Sequence, residues 1–155
     1  MPMDIADLVS PDAVIASLKA TSKKQALQQL AEKAALLTRQ HERAILDVLI
    51  ERERLGTTGV GGGIAIPHGK LPGLTRLQGV FARLERPIDF EAIDEQPVDL
   101  IFLLLAPGGA GADHLKALAR VSRLLRDRKV CEKLRGSETP EAIYALLTEQ
   151  HASAA

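Results

Sequence analysis

The sequence predicts an α/β sandwich, and three observations carry that prediction. Segments with apolar residues at helical spacing precede, interrupt and follow segments that read as strands. The run Val98 to Ala106 is nearly all aliphatic, which suits a central strand covered on both faces. The chain has 155 residues with no internal repeat and no long linker, which fits one domain spanning 1–155 with a single substantial core.

The elements follow in order. Ser22-Lys23-Lys24-Gln25 reads as a capping box, with Ser22 as N-cap and Gln25 three residues on. Leu27, Leu30, Ala31, Ala34 and Leu37 then share one face, so a helix runs to about Arg39. A second helix is expected from about Glu42 to Arg54, with Ile45, Val48 and Leu49 as its apolar stripe and Gly56 as its stop. Gly56 to Gly63 holds five glycines in eight residues, a loop that turns tightly or lets something approach its backbone. Ile64-Ala65-Ile66 reads as a short buried strand, and His68 falls in the glycine-rich loop beyond it. Leu77 to Leu84 reads as a strand of mixed pattern. A second glycine-rich loop, Pro107 to Ala112, separates the aliphatic strand from a helix capped by Asp113 and running to about Arg126. The face expected to bury there comprises Leu115, Leu118, Val121, Ser122 and Leu125. Val130 to Leu134 is a shorter helix stopped by Gly136. Thr139-Pro140 places an N-cap and an N1 proline ahead of a last helix to about Gln150, followed by a frayed tail.

Composition narrows the function. Lys+Arg and Asp+Glu both total 20, so no basic surplus marks a nucleic-acid binder. The only aromatic residues are Phe81, Phe90, Phe102 and Tyr144, too few for base-stacking platforms. A single cysteine, Cys131, excludes an internal disulfide and a cysteine-based zinc site. The acidic start lacks the basic and apolar regions of a signal peptide, and no apolar run is long enough to span a membrane. A cytoplasmic protein is expected.

Four residues form the candidate site: Arg52, Thr58, His68 and His114. His68 lies between Pro67, which fixes the approach of the chain, and Gly69, which leaves the imidazole open. A neutral imidazole presented this way is a competent nucleophile near neutral pH. Arg52 puts a charge on an apolar stripe at a helix end, so it either snorkels to solvent or points into a site. In a site, its guanidinium would bind an oxyanion at two points. Arg54 competes for that role but lies off the stripe. His114 falls in the first turn of a helix, where the positive helix end disfavours the imidazolium. Thr58 offers a hydroxyl. Each also has a bland reading: a loop histidine, a helix-start histidine, a turn threonine. His41 and His151 stand at a helix start and in the tail and suggest no role. Position 64 is Ile where both the P-loop and the dinucleotide fingerprint require Gly, so neither nucleotide motif is present, and no metal-ligand spacing occurs.

Glu51-Arg52-Glu53-Arg54-Leu55-Gly56-Thr57-Thr58-Gly59, followed by Gly63-Ile64-Ala65-Ile66-Pro67-His68-Gly69-Lys70, resembles the enzyme IIA domains of the bacterial phosphotransferase system, fructose/mannitol type. Within that family the nitrogen-related branch is the nearer likeness, through Phe90 to Leu100, the His114-Leu115 helix start and the opening Ser10 to Ile15. The resemblance implies a mixed β-sheet of about five strands flanked by helices on both faces. It implies that His68 is phosphorylated at Nε2, that Arg52 and Thr58 serve the site from sixteen and ten residues upstream, and that His114 supports His68. It further implies an HPr-like phosphocarrier as donor, no cofactor and no metal. Of two destinations for the phosphoryl group, the likeness to the nitrogen branch favours the first, regulation, with sugar transfer as the alternative. A regulatory IIA signals its phosphorylation state to targets such as kinases or transporters, in nitrogen and carbon metabolism or potassium homeostasis. A sugar-specific IIA passes the group to a IIB domain for uptake. A binding module that never transfers phosphate, and a small-anion binder built on the glycine loops, are the readings from other classes.

Overall fold

Period-two burial along the central strands generates the architecture. The structure is a computed structural model, and it describes residues 3–149. In the strand Val98–Pro107, Leu100, Phe102 and Leu104 face one hydrophobic core while Ile101, Leu103 and Leu105 face another. A strand apolar on both sides must be covered on both sides, and it is. The helices Lys23–Thr38 (α1) and Glu42–Arg54 (α2) cover one face through Leu27, Leu30, Ala31, Ile45 and Leu49. Gly111–Arg126 (α3), Arg128–Arg135 (α4) and Pro140–Thr148 (α5) cover the other through Val121, Leu125, Leu134, Ile143 and Leu147.

The sheet is mixed, as expected, and has six strands: Val14–Leu18 (β1), Gly59–Gly61 (β2), Ile64–Ala65 (β3), His68–Leu71 (β4), Gln78–Ile88 (β5) and Val98–Pro107 (β6). Their order is β1-β5-β6-β3-β2, with β4 also on β6. β5 runs antiparallel to β6, whereas β1 is parallel to β5 and both β3 and β4 are parallel to β6. The pairing is therefore mixed. β5 occupies one edge of β6 along its length, so β3 and β4 lie end to end along the other, opposite Leu100–Ile101 and Leu104–Pro107. The break between them falls at Ile66-Pro67, where proline has no N–H to give a ladder.

The structure corrects four sequence expectations. His68 opens a strand instead of lying in a loop. β1 and β4 escape the reading because they are short, and β4 is flanked by Pro67 and Pro72. β5 extends past Leu84 to Ile88, with Pro87 in the irregular stretch of its pairing. α3 starts at Gly111 with Ala110 as N-cap, so Asp113 is a first-turn residue rather than the cap. The buried face of α3 is accordingly His114, Ala117, Val121 and Leu125, while Leu115 is 69% exposed. The α2 limits, the Ser22 and Thr139 caps and the Gly136 stop are as expected. α5 ends at Thr148, and the tail lies outside the described residues.

Candidate functional site

The site begins with a close packing. α2 lies directly across β4, and the contact is possible because Gly69 has no side chain: a Cβ there would run into Val48 Cγ1. Arg52 is one helical turn beyond Val48 on the same face. The residue before Gly69 is His68. Helix and strand thus bring Arg52 to His68, and Arg52 Nε donates to His68 Nε2 at 3.3 Å. Arg52 Nη1 donates to the Gly56 carbonyl at 2.9 Å, which fixes the guanidinium at a second point. Two of its five N–H groups are used in this way, and three remain for oxygens.

These contacts set the tautomer of His68. Its Nδ1 lies 2.9 Å from the Ile66 carbonyl oxygen, which can only accept, so Nδ1 carries the proton. Arg52 Nε can only donate, so Nε2 carries the lone pair. In this arrangement Nε2, with its lone pair, faces the guanidinium. His68 is half-buried.

His114 comes from the opposite face of the sheet, at the start of α3. Its ring centroid is 5.6 Å from that of His68, edge to face. It is 7% exposed, and its Nε2 is buried without a hydrogen-bond partner among the described residues. Leaving such a group unpaired costs about 1–3 kcal/mol. Its pKa is lowered from the ordinary histidine value of 6.5, first by burial, then by the nearby His68 and Lys70. The direction is the one expected from the helix start, but its cause is burial and the neighbouring His68 and Lys70.

Thr58 is 3% exposed, and its hydroxyl donates to Glu53 Oε2. Its backbone N–H donates to Glu53 Oε1 at 3.0 Å. The hydroxyl proton is therefore committed within the protein. The glycine-loop amides are committed too: Gly62 N–H donates to Asp94 at 3.0 Å and Gly59 N–H to Thr57 Oγ1 at 3.1 Å. Gly61, Gly62 and Gly63 have φ of 101°, 67° and 81°, so these glycines serve the turn between β2 and β3.

Two residues were missed by sequence reasoning. Lys70 lies two residues beyond His68 on the same face of β4 and adds positive charge to the site. Glu53 organises Thr58. The period-two rule applied to His68 would have found Lys70 once a strand was recognised there, but no sequence signal marks Glu53. Arg54, the competitor of Arg52, is exposed and pairs with Glu51. His41 is the exposed N-cap of α2, and His151 lies outside the described residues. Among the described residues no group of three or more His, Cys, Asp or Glu is placed to hold a metal ion, and no helix is long and apolar enough to cross a membrane.

Comparison with known proteins identifies the family. Residues 7–150 match the family model for the phosphoenolpyruvate-dependent sugar phosphotransferase system, EIIA 2. The chain is 64% identical to the nitrogen regulatory protein of Bradyrhizobium diazoefficiens over 153 residues, which cover 99% of this chain and all of that one. It is 38% identical to the fructose-specific EIIA component of Haloferax volcanii, over 96% of this chain and 92% of that one. The crystal structure of the nitrogen regulatory protein IIA-Ntr from Neisseria meningitidis superposes with a TM-score of 0.88 at 30% identity, covering 93% of this chain and 99% of that one. The chain belongs to the EIIA 2 family and is a phosphotransfer component of the phosphotransferase system.

Proposed function

We propose that this protein carries a phosphoryl group on His68 Nε2, received from an HPr-like phosphocarrier, and that its phosphorylation state is a regulatory signal. The observation that carries the chemistry is the pairing of a lone-pair Nε2 with the Arg52 guanidinium, beside a buried and unpartnered imidazole nitrogen of His114. As the Nε2–P bond forms, the phosphorus–nitrogen bond of the donor breaks and the donor ring leaves with the electron pair. The proton stays on Nδ1, donated to the Ile66 carbonyl, so His68 loses no proton in the transfer. Arg52 exchanges its bond to Nε2 for bonds to phosphoryl oxygens. His114 is placed to give one more, and Lys70 contributes charge. Positioning and charge stabilisation supply the catalysis, as in phosphoryl transfer generally. Thr58 holds the site through Glu53 while its hydroxyl is so engaged.

The regulatory reading is supported by 64% identity to a protein named as a nitrogen regulator. Nitrogen and carbon metabolism and potassium homeostasis are the processes it would address, through targets such as kinases or transporters in the cytoplasm. The switch is electrostatic: phosphorylation adds about two negative charges at one surface point. Sugar-specific transfer to a IIB domain is the second reading, favoured by the 38% identity to a fructose-specific component. Affinity capture with His68→Ala and His68→Asp forms separates the two. Capture of a kinase or transporter by one form alone supports signalling, and capture of a cognate IIB supports sugar transfer.

A further inference from the structure

We propose that Glu53 is a positioning residue for the histidine, with Lys23 as its buried counter-ion. Glu53 follows Arg52 in the last turn of α2, yet its side chain is only 7% exposed. Its Oε1 accepts from Lys23 Nζ at 2.9 Å and from the Thr58 N–H at 3.0 Å, and its Oε2 accepts the Thr58 hydroxyl. Lys23 starts α1, with its side chain 17% exposed and its ammonium 4.8 Å from the centre of the Phe90 ring. The same lysine lies 3.9 Å from Glu91, a carboxylate that is 76% exposed and weakly held.

The consequence lies in where Thr58 leads. Its carbonyl accepts the Ile66 N–H at 3.0 Å, and the Ile66 carbonyl accepts Nδ1–H of His68 at 2.9 Å. A continuous set of contacts therefore runs from Lys23 through Glu53, Thr58 and Ile66 to the ring that is phosphorylated in the reading above. Because Glu53 shares a helical turn with Arg52, one carboxylate ties the helix that carries the guanidinium to the strand segment that sets the imidazole. A buried ion pair adds little net stability, since desolvation offsets the attraction. Holding two elements in register is what this pair accomplishes.

The test uses the full chain with 15N-labelled histidine. Glu53→Asp keeps the charge and its balance with Lys23 but withdraws the carboxylate by one methylene. Lys23→Met/Glu53→Met removes both charges together at similar volume, which avoids a lone buried charge. Glu53→Gln retains an oxygen acceptor for the Thr58 N–H but gives up the charge that pairs with Lys23. Ring 15N shifts report the His68 tautomer with no phosphoryl donor present. Phosphorylation kinetics with a carrier donor report kcat and KM separately. The expected result is loss of the single Nδ1–H tautomer in Glu53→Asp and in the double variant, with kcat lower by about 10- to 100-fold and KM for the carrier unchanged. Glu53→Gln, which leaves Lys23 without its counter-charge, loses part of both properties. The proposal is overturned when a folded Glu53→Asp or double variant keeps the parent tautomer and kcat. The kinetic arm rests on His68 being the acceptor, whereas the tautomer arm does not. Failure of the parent to accept phosphate therefore removes the functional reading and leaves the positioning claim to be decided by the shifts.

Discussion

Gly69→Ala perturbs the site without touching a reacting group. The added Cβ lies far inside normal contact with Val48 Cγ1, so helix and strand must separate by at least ~1 Å to reach a carbon–carbon distance of about 3.5 Å. Val48 cannot simply turn away, because β-branched side chains in helices hold one χ1 rotamer. Arg52 is one turn further along the same face, so its 3.3 Å bond to His68 Nε2 lengthens beyond about 4 Å and is lost. Overpacking of this kind costs about 1–3 kcal/mol, a fall in Tm of roughly 2–12 °C for a chain of this size. A misplacement near 1 Å reduces transfer by up to about 100-fold. The assay is the rate of phosphoryl uptake from phosphoramidate, a small donor that needs no docking surface, measured beside a melting curve. Val48→Ala in the Gly69→Ala background removes the clashing methyl and should restore most of the rate. An unchanged rate in Gly69→Ala, or no recovery in the double variant, refutes the claim that this close approach sets the Arg52–His68 geometry.

Arg52→Ala should slow uptake by about 10- to 1000-fold with little change in Tm, and Arg52→Lys should recover only a small part because it lacks the two-point fork; stopped transfer reactions and melting curves give both numbers. His114→Gln tests the buried imidazole through pH. Because the folded pKa lies below 6.5, the folded state binds fewer protons than the unfolded state as pH falls through 6.5, so His114 makes the protein less stable in acid. Urea melts across that range should show a shallower loss of stability in His114→Gln than in the parent. Gly59→Ala places a Cβ 2.8 Å from both Cα and Cβ of Ala92, a backbone clash that should lower stability by about 1–3 kcal/mol, read from urea unfolding.

The legible parts of this molecule were those written in local pattern. α2 was bounded correctly because Ile45, Val48 and Leu49 repeat at helical spacing and Gly56 follows. The sequence also exposed Arg52, since a charge on an apolar stripe stands out against its own periodicity. β6 was legible because burial on both faces leaves a continuous aliphatic run. The strand under His68 was not, because Pro67 and Gly69 on either side of the residue read as loop signals. Their actual roles are to end one ladder and admit a helix. The face of α3 was read correctly at Val121 and Leu125 but not at its start, where His114 is buried and Leu115 is exposed. Glu53 and Lys23 were invisible, since a contact across thirty positions leaves no trace in spacing. Thr58 was singled out for its hydroxyl, and the structure engages that hydroxyl in a hydrogen bond to Glu53.

Whether His68 is the phosphoryl acceptor is tested most directly by intact mass and 31P NMR after incubation with phosphoenolpyruvate, the first phosphotransferase enzyme and an HPr-like carrier. The parent chain should gain a single phosphoryl group bound to nitrogen, labile in acid, with the 15N shift of His68 Nε2 moving on modification and that of Nδ1 keeping its proton. His68→Ala should gain none. Full labelling of His68→Ala, or modification of the parent at any other residue, contradicts the account.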